Sequence, residues 1–232
     1  MPVTGALCEL LRQRVLSASA KARAKRRQRF QLLMRPTAED RILDLGSEDG
    51  THVASLVSFR SNVTIADIDP RMLASGAARF GFSTLLIEED KPLAVPDHAF
   101  DIIFCSSVIE HVTVNKAWLN QVQSRREFEA LAFERQRAFA SEIARIGRRY
   151  FVQTPYRYFP IDSHTWLPAP VAFLPRPVLI RLVTLINRWW IKTTVIDFNL
   201  LNRRQMRQLF PDAEIISERW FGLTKSLIAV RV

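Results

Sequence analysis

The stretch Arg41-Ile42-Leu43-Asp44-Leu45-Gly46-Ser47-Glu48-Asp49-Gly50 decides how this chain folds. Its Ile and two Leu around Asp44 read as a short buried parallel strand, and Gly46 and Gly50 as the tight loop that ends it, with a helix beginning at Thr51. Such a loop lets backbone amides and a helix N-terminus approach a ligand that a Cβ would keep away. Taken alone, it is equally an ordinary strand-to-helix turn. The next unit adds weight to binding. Val63-Thr64-Ile65-Ala66-Asp67 is a second apolar strand ending in a carboxylate, where a ribose diol would be gripped. A carboxylate at the end of a buried strand needs partners, and a diol supplies two donors.

Working outward, strands and helices alternate. Asp69-Pro70 is an N-cap and first-turn pair for a helix over 71–79. Thr84–Glu88, Phe100–Cys105 and Tyr150–Thr154 read as further strands, and 115–146 as one long helix. The pattern predicts a Rossmann-like, doubly wound, mostly parallel α/β sheet with right-handed crossovers. Residues 1–38 read as a helical cap, and the basic run Lys21–Arg29 as a solvated helix packed through Phe30, Leu32 and Leu33 against the sheet edge. Residues 213–217 and 226–232 are candidate final strands.

Three runs carry a resemblance. DLGSEDG (44–50), IADIDPRML (65–73) and VPDHAFDIIFCSSVIEHV (95–112) resemble the signature stretches of class I S-adenosylmethionine-dependent methyltransferases of the small-molecule type with EHV after strand four. The likeness covers residues 41–155 well and the remainder in outline. It implies S-adenosylmethionine as cofactor and an antiparallel C-terminal hairpin completing the sheet. Asp44, Gly46 and Gly50 match the family's acidic-x-Gly-x-Gly-x-Gly loop, while Glu48 stands where the middle Gly is usual. Asp67 falls at the ribose position. Of the acidic residues after the third strand, Asp90 is taken for the adenine, although spacing alone does not separate it from Glu89. Glu110 completes the expected cofactor set.

Composition bounds the rest. With 232 residues and 48% hydrophobic content, one domain with appendages can bury a substantial core. Cys8 and Cys105 form no disulfide framework, and Cys105 reads as an apolar filler inside a strand. No stretch has the unbroken apolar length of a spanning helix or the pattern of a signal peptide, and a cytoplasmic location is expected. The net charge of +10 argues for anionic surroundings without choosing among nucleic acid, membrane surface and phosphorylated substrate.

Residues 155–192 change character: six of the 12 prolines lie there, which breaks regular structure before Pro177 and predicts a lid or acceptor-binding insertion. Tyr156, Tyr158, Phe159 and Trp166 read either as an apolar acceptor pocket or as the cover of a second small core. From Val178 the pattern turns helical and ends in Trp189-Trp190 beside Lys192, the composition of an interfacial helix that would meet an anionic membrane surface, or of a plain structural helix.

Methyl transfer from a sulfonium is an in-line displacement that needs alignment and no protein nucleophile. A hydroxyl acceptor must still lose its proton, which makes His164 and His111 the candidate catalytic residues. The linear spacing of the four histidines predicts no metal. The reading favoured is methyl transfer to a small-molecule hydroxyl, such as that of a sugar or lipid-linked glycan. Nucleic-acid methylation is disfavoured because Ser106-Ser107-Val108-Ile109 replaces the Pro-Pro-aromatic stretch of base-amino methyltransferases. A non-catalytic binding protein on this fold and a dinucleotide oxidoreductase are the remaining alternatives.

Overall fold

The computed structural model describes residue 20 and residues 22–89, 91–115, 118–119, 121–162, 164–165, 171, 174–188 and 194–232. Asp90, Trp166, Trp189, Trp190 and Lys192, all singled out above, lie outside the described residues.

Seven strands form one sheet: β1 (Ile42–Leu45), β2 (Val63–Asp67), β3 (Ser83–Leu86), β4 (Phe100–Ser106), β5 (Gly147–Pro155), β6 (Glu214–Trp220) and β7 (Leu223–Arg231). Their order is β3-β2-β1-β4-β5-β7-β6. All pair in parallel except β7, which runs antiparallel to both β5 and β6. The doubly wound sheet and its C-terminal hairpin are as the sequence led us to expect. Because the chain moves from β1 outward to β3 and then returns to β4, the crevice opens between the carboxyl ends of β1 and β4.

Period-two side chains make two cores. Leu43, Leu45, Ile103, Cys105 and Val152 face α4 (Arg125–Ile146) and α6 (Arg203–Leu209) through Ala140, Ile143, Met206 and Leu209. Ile42, Ile65, Ile102, Phe104 and Phe151 face the other way. They meet α1 (residues 22–34), α2 (Thr51–Leu56) and α3 (Pro70–Phe80) through Phe30, Met34, Val53, Leu56 and Leu73. Asp69 caps α3 by accepting from the Arg71 amide, as its place before Pro70 predicts.

Several sequence expectations are corrected. Helix α1 lies on a sheet face, not its edge: Phe30 meets Phe104 and Phe151 edge-on at 5.3 and 5.6 Å, and Leu32 is exposed. The long helix starts at Arg125, because Ser124 accepts from the Glu127 amide and ends the irregular stretch before it. Helix α5 (Arg176–Ile186) follows Pro175 and so starts before Val178, and α6 starts at Arg203, where Asn202 and Gln205 form a capping box. Among the described residues no helix is long and apolar enough to cross a membrane.

Candidate active site

The loop after β1 carries three left-handed residues, Gly46 (φ 75°), Glu48 (φ 51°) and Gly50 (φ 72°). The family's middle glycine is absent from the sequence, yet its backbone conformation survives at Glu48. Holding a non-glycine residue there costs about 1–2 kcal/mol. The surroundings impose it: the Glu48 amide donates to Asp67 Oδ2 at 2.8 Å, and the Asp69 amide donates to the other Asp67 oxygen at 3.0 Å. At Gly46 there is no room for a side chain, since an added Cβ would lie 2.5 Å from a Val108 methyl. Val108 belongs to the segment after β4, so the two loops that wall the crevice touch at this glycine.

Asp44, at the centre of the crevice floor, is buried, and its Oδ2 has no hydrogen-bond partner. Burial pushes its carboxyl up to about 8; the Val53 amide pulls the other way, and the charge of Asp67 adds to the rise. A buried carboxylate oxygen left without a donor fits a cofactor that brings donors or positive charge, and Asp44, Gly46, Gly50 and Asp67 lie together at the adjoining ends of β1 and β2.

One contributor was not singled out by the sequence. Arg26, read as part of a solvated basic helix, is buried. It donates to Ser106 Oγ at the end of β4 (3.0 Å) and to Glu218 (3.1 Å), while its Nε has no partner. Only the packing of α1 across the sheet could reveal that, because Arg26 sits in an Arg- and Lys-rich run with no apolar period of its own.

Glu110 follows Val108 by two residues, and the short 3-10 turn 109–111 buries it completely beside His164. Thr154 Oγ1 donates to its Oε2 at 2.9 Å, and its Oε1 has no hydrogen-bond partner and faces His164 Nε2 at 3.7 Å. The turn is fastened from behind: Gln136 of α4 donates to the carbonyls of Ile109 and Asn199, and the Asn199 amide donates to the Glu110 carbonyl at 2.7 Å. His111 Nδ1 lies 3.1 Å from Asp197 Oδ1, and His164 Nδ1 lies 3.6 Å from Asp162 Oδ1. The two histidine rings meet edge to face at 4.8 Å, and His164 also stacks on Phe198 at 4.3 Å. Thus His111 and His164, 53 positions apart in the sequence, converge. Burial opposes the charged form of His164, yet Asp162 and Glu110 outweigh it and lift the imidazole to about 9.

Of the aromatics in residues 156–166, read as an acceptor pocket or as a core cover, the described ones do not gather into one pocket. Tyr156 joins the main core, Tyr158 is exposed, and Phe159 is buried against Trp220. The cleft beside His164 is lined instead by Phe128, Leu174, Leu179, Ile196 and Phe198, together with Asp162, Thr165 and Arg157. Its wall is braced by Arg176, which is buried over the Phe128 ring at 3.7 Å and donates to the carbonyls of Leu119, Val122 and Ile196.

Comparison with known proteins agrees with this geometry. Residues 43–125 match the family described as "Methyltransferase domain". Over residues 43–125 the chain is thus similar to S-adenosylmethionine-dependent methyltransferase domains. It is 32% identical over 99 residues to the ubiquinone/menaquinone biosynthesis C-methyltransferase UbiE of Zymomonas mobilis subsp. mobilis, a match that covers 38% of this chain and 41% of the relative. The match thus spans well under half of that relative's length. Among solved structures, the N-terminal domain of EvdMO1, crystallised in the presence of SAH and D-fucose, is similar at a TM-score of 0.52 and 13% identity. That similarity covers 90% of this chain and 81% of that one. At this identity it speaks to the fold of the methyltransferase domain.

Proposed function

We propose that this methyltransferase acts on a hydroxyl of a small molecule, with the acceptor seated between the cleft at Phe198 and the cluster of Glu110, His111 and His164. S-adenosylmethionine, when bound, supplies an electrophilic methyl group on a sulfonium. Asp44, Gly46, Gly50 and Asp67 hold it in the β1–β4 crevice, and His111 and His164 promote loss of the acceptor's proton. The observation that carries the reading is the convergence of two histidines, His164 buried and His111 partly exposed, each facing a carboxylate beside the crevice. The cleft's mixed lining of apolar side chains, Asp162 and Arg157 suits a polar molecule with an apolar face, such as a sugar. D-fucose, named with the like-folded EvdMO1 domain, makes sugar hydroxyls the first acceptors to test.

Much of the excess positive charge has internal duties, which weakens it as a sign of a nucleic-acid partner. Arg60, Arg145, Arg149, Arg176 and Arg231 all donate to backbone carbonyls.

The test is calorimetry with S-adenosylmethionine and its demethylated product, followed by mass spectrometry of a sugar panel incubated with protein and cofactor. Methylated sugar is the expected result. NADH bound with S-adenosylmethionine ignored would overturn the cofactor, and methylation confined to nucleic acid would overturn the acceptor.

A further inference from the structure

We propose that Glu110, His111 and His164 bind one divalent transition-metal ion, which receives an oxygen of the acceptor. This deepens the reading above: the histidines would act on the hydroxyl through the cation they hold. Linear spacing gave no hint of it. In the fold, one ligand atom from each of the three residues lies within 4.8 Å of the others. Two imidazoles and one carboxylate suit manganese, iron, cobalt or zinc better than magnesium or calcium, which prefer all-oxygen sets.

Three independent features point to a cation. First, Glu110 is fully buried and its Oε1 accepts no hydrogen bond, although Oε2 is satisfied by Thr154. A buried carboxylate oxygen without a donor is costly unless a positive ligand meets it. Second, His111 Nδ1 is hydrogen-bonded to Asp197 Oδ1 at 3.1 Å. That is the arrangement by which an outer carboxylate orients a metal-binding imidazole and leaves Nε2 for the ion, while His164 Nδ1 faces Asp162 Oδ1 at 3.6 Å without a hydrogen bond. Third, His164 Nε2 and Glu110 Oε1 are 3.7 Å apart, too far for a hydrogen bond. Two ligands each about 2.0–2.2 Å from one ion stand up to roughly 4 Å apart, so this pair is already at ligand spacing. The widest separation in the set, 4.8 Å, closes with a side-chain adjustment of under about 1 Å.

The seats are rigid where a ligand set needs them to be. Gln136 and Asn199 hold the backbone of the Glu110 turn, and Asp162 accepts from the Thr165 amide and hydroxyl to fix the His164 loop. The His111 side chain is 39% exposed, which gives the ion a route in and an open side for an oxygen ligand.

The experiment uses the full chain, freed of metal by chelator and titrated with Mn²⁺ while electron paramagnetic resonance follows the free ion. Co²⁺ absorption serves as a second probe. We expect one ion per chain, with affinity reduced more than tenfold in His164→Gln and in His111→Gln. The partly exposed His111 keeps the test valid if the His164 variant misfolds. Wild type that leaves both ions free, or binds them no better than either variant, overturns the site and leaves a histidine–carboxylate ion pair. S-adenosylmethionine binding is measured on the same metal-free protein. A protein that binds the cofactor but takes up neither Mn²⁺ nor Co²⁺ sinks the metal site alone, whereas one that takes up metal but ignores the cofactor sinks the methyl-transfer reading alone.

Discussion

The amide of Glu48 donates to Asp67 Oδ2 at 2.8 Å, so the loop after β1 and the end of β2 are fastened together before any ligand arrives. Asp67 therefore has two duties: it holds a left-handed residue in place, and it presents its remaining acceptor capacity to the crevice.

Asp67→Ala removes both. We expect cofactor binding to weaken by about 1–3 kcal/mol, the usual result of stranding hydrogen-bond partners. Calorimetric affinity equal to wild type would show that Asp67 only braces the loop.

The two unusual loop positions respond oppositely to substitution. Glu48→Gly relieves about 1–2 kcal/mol of left-handed strain, offset by about 0.5–1 kcal/mol of unfolded-chain entropy. Stability should thus stay within about 1 kcal/mol of wild type, with cofactor binding retained. Gly46→Ala combines a positive φ with the Val108 methyl at 2.5 Å, and should cost several kcal/mol, on the order of the strain and overpacking terms together. Denaturant melts compare them directly; similar losses in both variants would contradict the model of this loop as strained at Glu48 and sterically filled at Gly46.

Asp44 sets a pH dependence. Its folded pKa of about 8 lies above the ordinary carboxylate value, so the folded protein holds a proton that the unfolded chain releases. The resulting stability is fully present below about pH 4 and is lost as pH rises through about 8. The fall between neutral pH and 8 should be shallower in Asp44→Asn than in wild type. A cofactor that donates to Asp44 favours its ionised form, so binding near pH 7 should release a proton. Calorimetric enthalpies that differ between phosphate and Tris would register that release; identical enthalpies would count against it.

Gln136 is a buried polar side chain bonded at both ends, donating to the carbonyls of Ile109 and Asn199 and accepting from the Asn199 side-chain amide. Gln136→Leu strips the Asn199 carbonyl and side-chain amide of this buried partner, at about 1–3 kcal/mol for each, and leaves the Ile109 carbonyl with the Val112 amide alone. We expect a loss of at least about 2 kcal/mol in denaturant unfolding, together with loosened acceptor binding, because the Glu110 turn loses its rear support. A stability change under about 0.5 kcal/mol, typical of a neutral surface substitution, would show that the network does not hold the turn.

The parallel sheet and the crevice at its strand ends were legible because they rest on local signals. Residues 41–50 carry their own apolar run and turn glycines, Asp67 ends its own strand, and Asp69-Pro70 caps its own helix. These are short-range patterns that backbone sterics and burial translate directly into structure. The acceptor side was not legible in the same way. His111, the Asp162–His164 turn and Asp197 lie far apart in the sequence and meet only in the folded chain, and no spacing in the chain encodes that meeting. The same holds for Arg26, whose burial depends on how α1 crosses the sheet. What the sequence by itself determined was the sheet and the place where a nucleotide-like cofactor meets it. The tertiary structure alone decided which buried charges face one another, because loop closure over distant strands is a property of the whole core and not of any one segment.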